Sequence, residues 1–275
     1  MTVNPARHGP FPGRLAPETI AAYAAATCDD TASVLAGDAV PAVFPVILLF
    51  SAVEKARADV PAEAWDRVRG GVHGEHDIVL HRPVTPGESL DTWAQICAMR
   101  TTRAGTQVAV HLEQVDGDGH LAVEQWWTMV LLGLDGMPEF GPMPADHRFP
   151  EGARTNALGS AIVHLDDRMA HRYAGVSGDW SAHHFDVDVA RAAGFDSVFA
   201  HGLCTMAVCT HRMLNLLDVV DPGQVSRVAV RFSSSTPLGC DLTVNAFGID
   251  ERSFAFEAAA NGATTITHGR LELRT

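Results

Sequence analysis

The sequence predicts an α+β fold made of two related halves, each a group of helices followed by antiparallel strands. Three observations carry that expectation. First, Tyr23-Ala-Ala-Ala-Thr-Cys-Asp29 aligns without gaps on Tyr173-Ala-Gly-Val-Ser-Gly-Asp179, about 150 positions later, and self-similarity at one spacing marks a repeated structural unit. Second, two further matches keep the order and nearly the spacing. Val43-Phe44-Pro45 echoes Val198-Phe199-Ala200, and Thr85-Pro86-Gly87-Glu88-Ser89-Leu90 resembles Thr236-Pro237-Leu238-Gly239-Cys240-Asp241-Leu242. Third, Gly133 to Thr155 is crowded with Gly and Pro and lacks an apolar period, so it reads as a linker. The expected division is residues 1–135, a linker over 136–157, and a second half over 158–275.

The elements follow from local patterns. Pro17 to Ala26 reads as a helix, with Pro at its start and Glu18 in the first turn. Asp166 to Ala174 plays that part in the second half, followed by a short helix around Val187 to Ala193. The run after Gly202, LCTMAVCTHRMLNLL, is apolar on most faces and long enough for a buried helix. Met206, Met213, Leu214, Leu216 and Leu217 there read as core. Strands are expected at Gly74 to His81, Ser89 to Thr102, Gln107 to Val115 and Leu121 to Leu132. In the second half they are Val225 to Ser234, Asp241 to Ile249, Phe254 to Ala260 and Thr264 to Leu273. Val228, Val230 and Phe232 share one face by period two. Trp126 and Trp127 face opposite ways, so at most one is core and the other lines a tunnel or an interface. Short turns such as Asp116-Gly-Asp-Gly119 and Asn261-Gly262 imply antiparallel pairing.

Composition narrows the function classes. The 275 residues are 47% hydrophobic and 19% charged, enough for a sizeable core, and the formal net charge of −13 argues against a nucleic-acid partner. Five scattered cysteines suit reduced thiols and a cytoplasmic location. The opening residues, MTVNPARHGPFPGRL, hold no apolar core of the length a signal peptide needs, and the most apolar run, Val43 to Val53, is too short to span a bilayer. No GxxxxGK or GxGxxG phosphate loop is present.

The segment Tyr173 to Leu203 carries the chemistry. Asp179 and His184 lie five positions apart across a non-helical stretch, near enough for one loop to aim both at a single water. A carboxylate with an imidazole suits proton transfer near neutral pH. Downstream, His201-Gly202-Leu203 opens the apolar helix, whose first N–H groups lack internal partners. Gly202 would let a ligand carbonyl approach, as in an oxyanion hole.

The run SGD-x4-H-x-D, then AGF, a phenylalanine and HGL, resembles the MaoC-like (R)-specific enoyl-CoA hydratase/dehydratase family. The resemblance implies a double hot-dog, two tandem halves each with an antiparallel sheet wrapped around a long central helix, the first half degenerate. It further implies reversible hydration of a trans-2-enoyl-CoA to the (R)-3-hydroxyacyl-CoA, with Asp179 and His184 handling water and the Gly202 N–H binding the thioester oxygen. The degenerate half is then expected to widen the acyl tunnel for long or bulky chains. Where the family has Asn-Pro-aliphatic between Asp and His, this chain has Ser181, Ala182 and His183, so Ser181 is expected to replace part of the asparagine. In the first half Asp29 aligns with Asp179, but Val34 stands at the histidine position and Phe44-Pro45-Val46 at the helix start. One working site per chain is expected.

Several readings stay open at this stage. His183 and His201 are candidates for substrate contact, against packing or structural roles. Arg227 and Arg231 share a strand face and are candidates for CoA phosphates, against a solvated face. His201, Cys204, Cys209 and His211 cluster in sequence, yet on a helix the two cysteines point roughly 140° apart, so neither metal nor other cofactor is expected. The alternatives are an acyl-CoA thioesterase and a non-catalytic acyl-binding or partner subunit. An acyl-CoA thioester substrate, no nucleic acid, no membrane and a homodimer complete the expectation.

Overall fold

The computed structural model describes residues 3–275. The first half runs β1 (His8–Arg14), α1 (Pro17–Ala26), α2 (Ala32–Leu35), α3 (Phe50–Arg57), α4 (Ala62–Trp65), β2 (Gly70–Leu80), β3 (Ser89–Thr101), β4 (Gly105–Val115) and β5 (Leu121–Leu132). The second runs β6 (Ala157–Leu165), α5 (Met169–Ser177), α6 (Val187–Ala192), β7 (Phe199–Ala200), α7 (Gly202–Leu216), β8 (Val225–Phe232), β9 (Thr236–Pro237), β10 (Cys240–Gly248), β11 (Ser253–Ala260) and β12 (Ala263–Leu273).

All strands but β7 and β9 join one ten-stranded antiparallel sheet, ordered β1-β3-β4-β5-β2-β8-β12-β11-β10-β6. The order is the repeat made visible. Read inward from either edge, each half places its first strand, then its third, fourth, fifth and second long strands. The halves meet where β2 pairs antiparallel with β8, from Glu75 opposite Arg231 to Val79 opposite Arg227. This is a double hot-dog. The repeat's aligned tyrosines meet as well: Tyr23 and Tyr173 are fully buried, with ring centroids 5.9 Å apart.

The central helices differ between the halves. α7 has fifteen residues, buried on nearly every face from Leu203 to Leu214, and packs on β6, β8, β10 and β12. Its apolar content gives that burial. The expected long central helix of the first half is instead the eight residues of α3. Pro61 lies four residues beyond Arg57 and disfavours helix at the residue before it. Phe44-Pro45-Val46, matched by sequence to the helix start, forms a 3-10 turn over Phe44–Leu48 ahead of α3.

Four strands have no counterpart among the expected ones: the short pair β7 and β9, and the two edges of the large sheet, β1 and β6. β1 contains Pro10 and Pro12, which an edge strand tolerates because no outer neighbour needs their N–H. β6 starts at Ala157, inside the stretch expected to be linker, and its outward face is largely exposed, Ile162 most of all.

Candidate active site

The loop between α5 and α6 is set by its glycine. α5 stops at Ser177, and Gly178 takes the left-handed conformation (φ +77°) that ends helices. Asp179 follows, then a 3-10 turn over Ala182–His184 closed by His184 N–H to the Ser181 carbonyl, 3.0 Å. The turn brings His184 beneath β7, where its Nδ1 lies 2.9 Å from the Phe199 carbonyl oxygen. A carbonyl only accepts, so Nδ1 carries the proton and the Nε2 lone pair is left free. Burial above all, then the neighbouring His201 and His183, pushes the His184 pKa down to about 3. At neutral pH its ring is an uncharged base.

His201 stacks on that ring, centroids 3.7 Å apart and planes 27° from parallel. Its Nε2 donates to the Asp179 backbone carbonyl at 2.9 Å, which ties the loop to the start of α7. Its Nδ1 is buried without a partner among the described residues. Asp179 points one carboxylate oxygen at Ser181, accepting from its N–H (3.1 Å) and its hydroxyl (2.5 Å). Ser181 thus orients the carboxylate. His183 is half-buried against Phe199, rings 5.4 Å apart.

Asp179, Ser181, His183, His184, His201 and Gly202 all line one cavity of about 480 Å³ between the halves. Gly202 is the first residue of α7, where no helical carbonyl can reach its N–H. A Cβ there would stand 3.2 Å from the Phe232 ring, a tight contact that glycine avoids.

The opposite wall comes from the first half and was not foreseen in full. His73 and Trp127 stack face to face at 4.0 Å, and His73 lies 4.9 Å from Phe232. Arg57, Gly71, Val72 and Met129 complete that side. For Trp127 the strand alternation offered a signal; for His73 and Arg57 no local pattern did.

Arg227 and Arg231 are placed elsewhere. Arg227 makes a two-pronged pair with Asp77 (2.6 and 3.0 Å), and Arg231 pairs with Glu75 (2.6 Å). Both pairs cross the β2–β8 joint, so these charges are spent on fastening the halves, away from the cavity.

The first half's counterpart is nearly closed. Asp29 lies 3.1 Å from Nδ1 of His211 in α7, beside a space of about 10 Å³, roughly one water. Val34 is buried in α2.

Within this site Asp179, His184 and His201 offer ligand atoms within 4.8 Å of one another and could hold a cation; the exposed turn of Asp116, Asp118 and His120 is a second such group. Imidazole lone pairs lie in the ring plane, however, so two stacked rings aim theirs side by side instead of at one point. The set suits a hydrogen-bonded water better than a tetrahedral ion.

Comparison with known proteins agrees with this architecture. Residues 152–270 match the family model described as a MaoC like domain. The chain is 27% identical over 222 residues to the 3-hydroxyacyl-thioester dehydratase X of Mycobacterium tuberculosis, covering 79% of this chain and 71% of that protein. It is 25% identical over 178 residues to the peroxisomal multifunctional enzyme type 2 of Mus musculus, covering 64% of this chain and only 24% of that enzyme. The chain therefore spans about a quarter of that larger relative. The crystal structure of a MaoC-like dehydratase from Phytophthora capsici superposes with a TM-score of 0.84 at 20% identity, over 99% of this chain and 96% of that one. The match falls on the half that holds the Asp179–His184 loop, so residues 152–270 form a MaoC-like domain, and the chain as a whole has the double hot-dog fold.

Proposed function

We propose that the chain is a hydro-lyase that reversibly hydrates a trans-2-enoyl-CoA to the (R)-3-hydroxyacyl-CoA. The observation that carries this reading is the free Nε2 lone pair of a neutral His184 beside the Asp179 carboxylate, both on the cavity wall where α7 begins. The Asp179 carboxylate and His184 Nε2 each accept a hydrogen bond from one water. As the water oxygen bonds to C3, His184 takes its proton. The displaced π electrons move onto the thioester oxygen, held by the Gly202 N–H. His184 then returns the proton to C2, so hydroxyl and hydrogen enter from one face and the base is regenerated. General acid–base groups contribute roughly 10²–10⁴-fold, and an oxyanion donor roughly 10²–10³-fold.

A dehydratase relative supports the same bond change in reverse. The exposed apolar edge of β6, with Ile162 68% exposed, supports a homodimer. The test is incubation of crotonyl-CoA with the protein, followed by chiral analysis of the product and assay of free thiol. The (R)-3-hydroxy thioester is expected. Release of free CoA thiol without hydration would make the protein a thioesterase, and binding without either change would make it a non-catalytic acyl-binding subunit.

A further inference from the structure

Four buried side-chain atoms on the cavity wall have no hydrogen-bond partner among the described residues. Two, His201 Nδ1 and Tyr173 Oη, belong to the reacting end. The others, Arg57 Nε and His73 Nε2, belong to the first half and have no part in the hydration chemistry. Arg57 forms no ion pair among the described residues; its guanidinium only lies over the Trp65 ring, 4.8 Å from the centroid. Glu54, one turn earlier on α3, is exposed. A buried donor left unmatched costs roughly 1–3 kcal/mol, more when charged. Two on one wall point to an acceptor that arrives with the ligand.

Both residues line the first-half wall of the cavity, across from the loop that holds Asp179 and His184. Gly202 faces Phe232 across the cavity wall, Phe232 neighbours His73, His73 stacks on Trp127, and Trp127 meets Phe50 at the start of α3, 5.7 Å between rings. Arg57 stands seven residues after Phe50, two turns along α3, and shares the cavity wall with His73 and Trp127. The other rim holds Ser233 and Ser234, both exposed, which suits the hydrated CoA moiety.

We propose that Arg57, assisted by His73, binds a carboxylate at the far end of the acyl chain, so that the preferred substrate is a dicarboxylic 2-enoyl thioester. A guanidinium presents paired N–H groups to both carboxylate oxygens, and the His73 imidazole adds one more donor in the tautomer that carries its proton on Nε2. An apolar chain end would leave both nitrogens unmatched. The inference rests on the hydratase reading, and its test keeps the two apart.

The test compares trans-2-hexenedioyl-CoA with trans-2-hexenoyl-CoA, equal in length and differing at the far end. The wild-type protein should favour the dicarboxylic substrate in kcat/KM by about ten-fold or more, because a site built around a polar group rejects the analogue lacking it. Arg57→Leu and His73→Phe should each shrink that ratio, and Arg57→Lys should restore part of it. The same ratio should survive with pantetheine thioesters, which lack the CoA 3′-phosphate and diphosphate. Equal losses on both CoA substrates that vanish with pantetheine thioesters would assign Arg57 to a CoA phosphate and overturn the proposal. So would a wild-type protein with no preference. Failure of the wild type to hydrate either substrate would overturn the hydratase reading itself.

Discussion

The rings of His184 and His201 stack 3.7 Å apart, and each is pinned by a backbone carbonyl, His184 by Phe199 and His201 by Asp179. The two anchors fix both tautomers and link the loop after α5 to the start of α7. Because each ring is buried and faces the other, protonating either one is unfavourable. The uncharged state that the proposed hydration needs is thereby built into the packing.

The acid limb of the rate profile should therefore lie well below the ordinary histidine range. His184 loses activity only when protonated, and burial, with His201 and His183, holds its pKa near about 3. Replacing His201 by Gln removes a neighbour that could carry like charge, so the limb should move to higher pH. The lost anchor on Asp179 should also lower kcat by about 10–100-fold, as for a hydrogen-bonded positioning group. Profiles of kcat/KM against pH for both proteins check this; an unmoved limb contradicts the positioning role.

Ser181→Ala should lower kcat by about 10–100-fold with little change in KM. The Ser181 hydroxyl donates to the Asp179 carboxylate at 2.5 Å, and bonds to charged groups are worth roughly 1.5–3 kcal/mol. Ser181→Thr, which keeps the hydroxyl, should retain most activity. Steady-state kinetics on one enoyl-CoA distinguish these outcomes.

The arginines at the joint predict stability instead of catalysis. Arg227→Ala leaves Asp77, whose side chain is 7% exposed, without its partner. Breaking a buried pair costs roughly 3–5 kcal/mol, and partial exposure of Arg227 brings the expected loss to about 2–3 kcal/mol. Urea unfolding should show it, with kcat on an enoyl-CoA unchanged in the folded protein. A fall in kcat with unaltered stability would return these arginines to the substrate.

Acid should unfold the protein earlier than its carboxylates alone require. His76 is fully buried, bonded at 2.9 Å to Gln125, and burial lowers its pKa to about 4. Its folded pKa lies below the unfolded value of roughly 6.5, so the unfolded chain takes the proton first. Its contribution is whole above pH 6.5 and falls by about 1.4 kcal/mol per pH unit down to pH 4. His184 adds a second such group. Unfolding free energies measured from pH 7.5 to 4.5 should decline over that window, and less steeply in His76→Gln.

Much of this was legible in residues close together in the chain. The tyrosine–aspartate repeat announced the duplication, strand alternation placed all eight inner strands, and Asp179, Ser181, His184 and Gly202 lie within one 31-residue segment, Tyr173 to Leu203. What escaped depended on contacts distant in sequence. β1 escaped because Pro10 and Pro12 speak against a strand until its edge position is known. His73 and Arg57 escaped because only the pairing of the two halves brings them to the cavity. Arg227 and Arg231 appeared free because their acidic partners lie about 150 residues away, on β2.

The most direct measurement is the disappearance of enoyl-thioester absorbance with wild type, Asp179→Asn and His184→Asn at equal concentration. Turnover by the wild type should give an (R)-3-hydroxyacyl-CoA, and each variant should lose roughly 10²–10⁴-fold with an unchanged melting profile. Variants that hydrate as fast as the wild type would contradict the proposed roles of Asp179 and His184.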